Sequence, residues 1–369
     1  MTAPTSHTPY SPPHGTQQLV LLGASPAHLQ VLAHLAAHPL PQTQVVLLAH
    51  QPSLLLPSMF AGFVAGDYTL EDCAISLAPL VQRSGIRWME RNVVAVDMAQ
   101  QTLTLDDQST LAFDWLSVST SPVQDRASIE QALPGAREHA LFTHPAEAFA
   151  TLWPRVVAMG EERPLRVAVI GTGAEGVEIA LAARQRLPEA AITLVCGATL
   201  PGDRSTPAVQ DRLIALLKKR RVTVLQDEAK SLHGGNVQLG CGADLACDVP
   251  ILTSHSQAPL WIAGSGLALD ADGLPAVDVY QRSTSHSRVF TVGPNVQAGE
   301  ALAHNLASAM AGTALKPLQP PSPNWRIVSC GGRYAVGNWR SFSAQGRWVW
   351  WLKNWLDRNQ MARCAPPGP

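Results

Sequence analysis

The chain has 369 residues, long enough for two domains of ordinary size, each with its own core. With 46% hydrophobic and 15% charged residues it reads as a well-buried globular protein, which excludes a disordered chain. A formal net charge of -1 supplies no global attraction to nucleic acid or anionic lipid, and no nucleic-acid partner is expected.

Residues 1–15 have no basic region followed by an apolar core, so they are expected to form a disordered tail rather than a secretory signal. QQLVLL at 17–22 reads as a buried strand ending at Gly23. Ser25 is placed to cap a helix with Pro26 in its first turn, and Pro39 stops the apolar pattern from Leu29 to Leu35. QVVLL at 44–48 completes a strand-helix-strand unit. Between Arg87 and Val118, VVAVD, TLTL and LAFDWLSV, broken by Asp106, Asp107 and Gln108, suggest a small antiparallel insert.

A second unit, LRVAVIGTGAEGVEIALAARQRLPEAAITLVCG, follows the polar stretch 121–137. Here Gly171, Gly173 and Gly176 satisfy the full GxGxxG pattern directly after an apolar strand and before a helix, whose Val177, Ala180 and Leu181 face a sheet. The first glycine permits the turn, the second admits a diphosphate to the backbone, the third lets helix and strand approach, and the helix N-terminus favours the phosphate charge. The next strand ends in Val195-Cys196-Gly197, without the carboxylate that would hold an NAD ribose. Arg204 is either a phosphate partner for NADP or a solvated surface arginine.

A helix at 208–219 and strands at 222–225, 236–239, 243–247, VPIL and RVFTVG (288–293) continue the alternation. The Pro-rich stretch from 316 is a linker. Beyond it, two short strands (325–329 and 333–336) and a helix (342–361) are expected. That helix carries Trp348, Trp351 and Trp355 on one side, with Arg347, Lys353, Arg358 and Arg363 flanking. This pattern suits either a membrane surface or packing on a protein. No run of about 18 apolar residues exists, so no spanning helix is expected. The six cysteines, at 73, 196, 241, 247, 330 and 364, lack redox-pair or metal-ligand spacing. They read as small buried residues of a reduced, cytoplasmic protein, with no metal site.

These units, with the stretches LVLLGASPAHLQVL, SMFAGFVAGDYTLEDCAISLAPL and RYAVGNWRSFSAQGRWVWWLKNWLDR, resemble the two-dinucleotide-fold flavoprotein reductases over about residues 17–363. The group includes the type II NADH dehydrogenases, and the likeness is narrowest to a branch found fused to selenophosphate synthase. The resemblance implies an α/β fold of two Rossmann-like dinucleotide-binding domains with a small C-terminal α+β tail. The FAD-type domain would be 16–120 with 250–315, the NAD(P)-type domain 121–249, the linker 316–324 and the tail 325–369. It implies hydride transfer from NAD(P)H to FAD and onward to a quinone-like acceptor, without a nominated acid-base side chain. The tail helix would then rest at the inner face of the plasma membrane.

By the same resemblance, Gly23, Ser25 and His28 would face the FAD diphosphate and Pro57, Ser58 and Met59 the flavin ring. Gly171, Gly173, Gly176 and Glu178 would form the NAD(P)H site, and Gly293 with Asn295 the late flavin contact. Two positions depart from the family pattern. Serine replaces the second glycine of the first turn, and Gly293-Pro294-Asn295 stands where Gly-Asp is usual, removing an acceptor worth about 1–3 kcal/mol. These departures motivate a second reading, a degenerate member with weakened FAD binding that serves as a nucleotide-binding or assembly module. A third, a dehydrogenase without flavin, lacks an evident acid-base pair.

Overall fold

A computed structural model describes residues 15–119, 121–202, 205–271, 273–292, 297–318, 326–339 and 342–364. The apolar run at the start forms β1 (Gln17–Leu22), followed by α1 (Pro26–Ala37) and β2 (Thr43–Leu48). After α2 (Phe60–Ala65) come β3 (Arg87–Met89) and an antiparallel hairpin insert of β4 (Val93–Asp97), β5 (Thr102–Leu105) and β6 (Thr110–Ala112). The chain then enters β7 (Trp115–Val118). LAFDWLSV is therefore two strands in two sheets, because Asp114 accepts the Gln18 N–H and turns the chain from the insert into the main sheet.

The second unit begins with β8 (Leu141–Phe142) and α3 (Ala146–Glu162). It continues through β9 (Arg166–Ile170), α4 (Ala174–Arg186), β10 (Ala191–Val195), α5 (Pro207–Lys219) and β11 (Thr223–Leu225). A second antiparallel insert, β12 (Ala229–His233), β13 (Asn236–Leu239) and β14 (Asp244–Ala246), leads to β15 (Val249–Leu252). Then β16 (Val289–Thr291) and α6 (Gln297–Ala311) return the chain to the first sheet. The tail is a sheet of β17 (Arg326–Ser329), β18 (Ala335–Trp339) and β19 (Phe342–Gly346), closed by α7 (Arg347–Cys364). Residues 342–346, expected to open the helix, are a strand paired to β18 instead.

The architecture is α/β, with two parallel five-stranded sheets in the orders β16-β7-β1-β2-β3 and β8-β15-β9-β10-β11. The strand order reverses beside β1 in the first sheet and beside β9 in the second, so a crevice opens at the carboxyl ends of β1 and β7, and of β9 and β15. Buried side chains of both units and of the tail belong to one continuous core, which includes Leu21, Phe60, Trp153, Val177, Leu181, Val336, Val349 and Trp350. The last turn of α7 reaches the start of α1, where Cys364 Sγ lies 3.7 Å from the Pro26 carbonyl oxygen.

Candidate functional site

At the end of β9 the three glycines do three different things. A Cβ on Gly171 would lie 2.1 Å from Thr253 Oγ1, in the segment that follows β15. A Cβ on Gly173 would meet nothing within 4 Å, so this position opens to the crevice. A Cβ on Gly176 would lie 2.6 Å from the Gly171 carbonyl oxygen, so only glycine lets the first turn of α4 close on the preceding loop. Gly173 is the N-cap and has no side chain to bond the helix head. The N–H groups of Ala174, Glu175 and Gly176 are thus left without intrahelical partners at the switch point. Glu175 turns one carboxylate oxygen toward His144 Nε2 at 3.2 Å, and its other oxygen is buried without a partner.

The first turn is closed differently. Gly23 takes a positive φ of 91° and donates its N–H to the Leu48 carbonyl at 2.8 Å. Ser25, only 5% exposed, caps α1 by accepting the His28 N–H at 3.2 Å, and Ser119 Oγ bonds Ser25 Oγ at 2.6 Å. His28, fully buried, stands where the third glycine would be, with Nδ1 2.5 Å from the Gly23 carbonyl and Nε2 2.9 Å from Ser117 Oγ. Burial pushes the imidazole down to about 4, against the raising effect of the Gly23 carbonyl, so the ring is neutral at pH 7. The carbonyl only accepts, which assigns the proton to Nδ1 and leaves Nε2 to accept from the Ser117 hydroxyl. Past β2 come Ala49 and His50, so this unit too lacks a carboxylate for a ribose.

Pro57, Ser58 and Met59 form a short 3-10 turn leading into α2. It is held from the tail, because Lys353 Nζ on α7 donates to the Ser58 carbonyl and pairs with Asp357 at 2.6 Å. Lys353, read from the sequence as one of the cations flanking the tryptophans, is turned inward. Ser58 Oγ is buried without a partner. Tyr68 donates its hydroxyl to Asn354 at 2.9 Å and stacks on Trp350.

Glu178, one turn into α4, faces the tail, accepting the Ser329 N–H at 2.6 Å. Burial raises its carboxyl to about 7, with Lys353 and the Ser329 N–H acting in the opposite sense. The end of β10 carries no carboxylate; Cys196 is buried and directs its thiol toward the Leu225 carbonyl. Gly293, Pro294, Asn295 and Arg204 lie outside the described residues. Ser117, Ser119, Thr253 and Asp357 are not singled out by the sequence, and Lys353 reads there only as a flanking cation, since each reaches its turn from a distant strand or from the tail.

The family described as pyridine nucleotide-disulphide oxidoreductase matches residues 17–311, four-fifths of the chain and both dinucleotide units. The chain belongs to that family. No curated protein matches it. Solved structures similar to this chain include the sulfide:quinone oxidoreductase of Aquifex aeolicus. That protein is 16% identical, with 95% of this chain and 91% of that one covered, at a TM-score of 0.75. NDH2 from Plasmodium falciparum in complex with NADH is 11% identical, covering 95% and 97%, at a TM-score of 0.73. A ferredoxin reductase of Rhodopseudomonas palustris is 18% identical, covering 87% and 82%, at a TM-score of 0.70. At these identities the likeness shows the fold. Among the described residues no helix is long and apolar enough to cross a membrane.

Proposed function

We propose that the chain is an NAD(P)H:acceptor oxidoreductase that binds the nicotinamide nucleotide at the head of α4 and FAD along the first sheet, with a quinone-like acceptor. The observation that carries this reading is the helix head at Gly173. It is free of any capping side chain, is drawn tight by the Gly176 approach, and sits at the strand-order reversal. An NAD(P)H diphosphate fits there, held by the N–H groups of Ala174, Glu175 and Gly176. Among the described residues no carboxylate closes β10 to repel a 2'-phosphate, so the site is expected to take NADPH as well as NADH.

FAD fits the first unit with a reduced grip. The positive-φ Gly23 turn is formed, and the orphaned Ser58 Oγ offers a hydrogen bond on the flavin side, while Ser25 occupies the head of α1. When bound, the flavin supplies the two-electron relay between nicotinamide and acceptor. The chain contributes position: Lys353 fixes the Ser58 turn, and neutral His28 braces the Gly23 turn without adding charge beneath it.

Within the family, the reading places the chain near the type II NADH dehydrogenases and the branch found fused to selenophosphate synthase. It also assigns α7 to the inner face of the plasma membrane. Trp348, Trp351 and Trp355 are 56%, 57% and 60% exposed, and the exposed charged residues of this helix, Arg347, Arg358 and Arg363, are all cations.

Protein supplemented with FAD is expected to show a flavin absorption band that bleaches on adding NADH or NADPH and to reduce an artificial acceptor. Absence of bleaching and turnover at saturating FAD defeats the reading. The capped head of α1 favours a second reading, a nucleotide-binding module without redox chemistry. Calorimetric NADPH binding with no FAD uptake at any concentration would decide for it.

A further inference from the structure

We propose that Ser25 is an internal competitor for the flavin diphosphate, so that this chain holds FAD as a dissociable partner rather than a resident group; the inference rests on the flavin reading above.

The two helix heads differ in what they leave free. At α4 the N–H groups of Ala174, Glu175 and Gly176 face a glycine cap with no side chain. At α1, Pro26 has no N–H, the His28 N–H is taken by Ser25 Oγ, and the Leu29 N–H bonds the Ser25 carbonyl. Ala27 alone keeps an unclaimed donor in that turn. Ser25 also carries a Cβ and hydroxyl at the position where a dinucleotide turn needs its backbone bare for the diphosphate to approach. The side chain is pinned from a second direction by Ser119 Oγ, itself 3.1 Å from the Val292 carbonyl at the end of β16. A diphosphate must therefore displace a hydrogen-bonded, nearly buried hydroxyl to gain the His28 N–H, and of the helix head only the Ala27 N–H stays unclaimed when no flavin is bound.

The test titrates FAD into the purified full chain, following quenching of flavin fluorescence. Dissociation constants are compared for the unaltered chain, Ser25→Gly and Ser25→Ala, with NADPH binding to each measured by calorimetry. Glycine is a fair N-cap, so Ser25→Gly is expected to keep the fold. It frees one N–H for a charged oxygen, which is worth about tenfold or more in FAD affinity. Ser25→Ala, which frees the N–H but keeps the Cβ, is expected to gain part of this. The unaltered chain is expected to lose its flavin on desalting while Ser25→Gly retains it. Flavin retained through desalting by the unaltered chain, or equal affinity in all three, overturns the proposal and leaves the oxidoreductase reading standing. No saturable FAD binding by any form, with NADPH still bound, overturns both.

Discussion

Lys353 and Asp357, one turn apart on α7 and both nearly buried, form an ion pair of 2.6 Å whose ammonium also bonds the Ser58 carbonyl. Removing one partner leaves a buried charge uncompensated. Lys353→Met is therefore expected to cost about 3–5 kcal/mol in urea unfolding at pH 7, whereas Lys353→Met with Asp357→Leu recovers most of the loss. A single substitution costing less than about 1 kcal/mol would show that the pair is solvated.

The glycines of the second turn separate stability from binding. Gly173→Ala places its Cβ in open space and is expected to change stability by about 1 kcal/mol or less, yet to weaken NADPH binding by crowding the diphosphate. Gly176→Ala drives a Cβ against the Gly171 carbonyl and is expected to cost about 1–3 kcal/mol as well as binding. Calorimetry beside thermal unfolding distinguishes the two; equal NADPH affinity in Gly173→Ala would contradict the site.

Half-buried Glu178 and fully buried His28 oppose each other in pH. Glu178 titrates near 7 in the folded chain and near 4.5 unfolded, so between these values the native state keeps a proton that the unfolded chain has lost, and stability falls as pH rises. His28 titrates near 4 folded and 6.5 unfolded, so across that range the unfolded chain holds the extra proton and stability rises with pH. From 4.5 to 6.5 the two slopes cancel. Glu178→Gln is expected to unmask a rise of about 3 kcal/mol between pH 4 and 6.5, and His28→Gln a fall of similar size between 4.5 and 7. Denaturant titrations at these pH values read it directly; parallel profiles for both variants would refute the opposition.

The exposed tryptophans provide a test of the tail. Replacing Trp348, Trp351 and Trp355 by serine is expected to reduce partitioning to vesicles containing anionic lipid by on the order of tenfold or more, without altering NADPH affinity. Unchanged vesicle sedimentation would assign that face to another use.

Much of this was legible in the sequence because it is local. The strand, glycine turn and helix at 166–186 announce themselves through apolar runs and glycine spacing, and Ser25 followed by Pro26 marks a helix head. α3 is harder to read: Phe149, Ala150, Trp153, Val156 and Val157 repeat at helical spacing, but Pro154 within the helix hides the pattern. The direction taken by Glu178 was also hidden, since its partners Ser329 and Lys353 lie far along the chain. The resemblance puts His28 toward the FAD diphosphate, whereas its role as a brace depends on Ser117 arriving from β7.

The resting place of the last turn of α7 on the head of α1 makes the tail its own sensor. Cys364 is buried there with its thiol pushed up to about 11 by desolvation, whereas Cys241 is exposed on the surface. An alkylating reagent should therefore modify Cys241 at once and Cys364 only when the helix lifts away. The ratio of the two rates would time the opening of the molecule with no cofactor, substrate or membrane present.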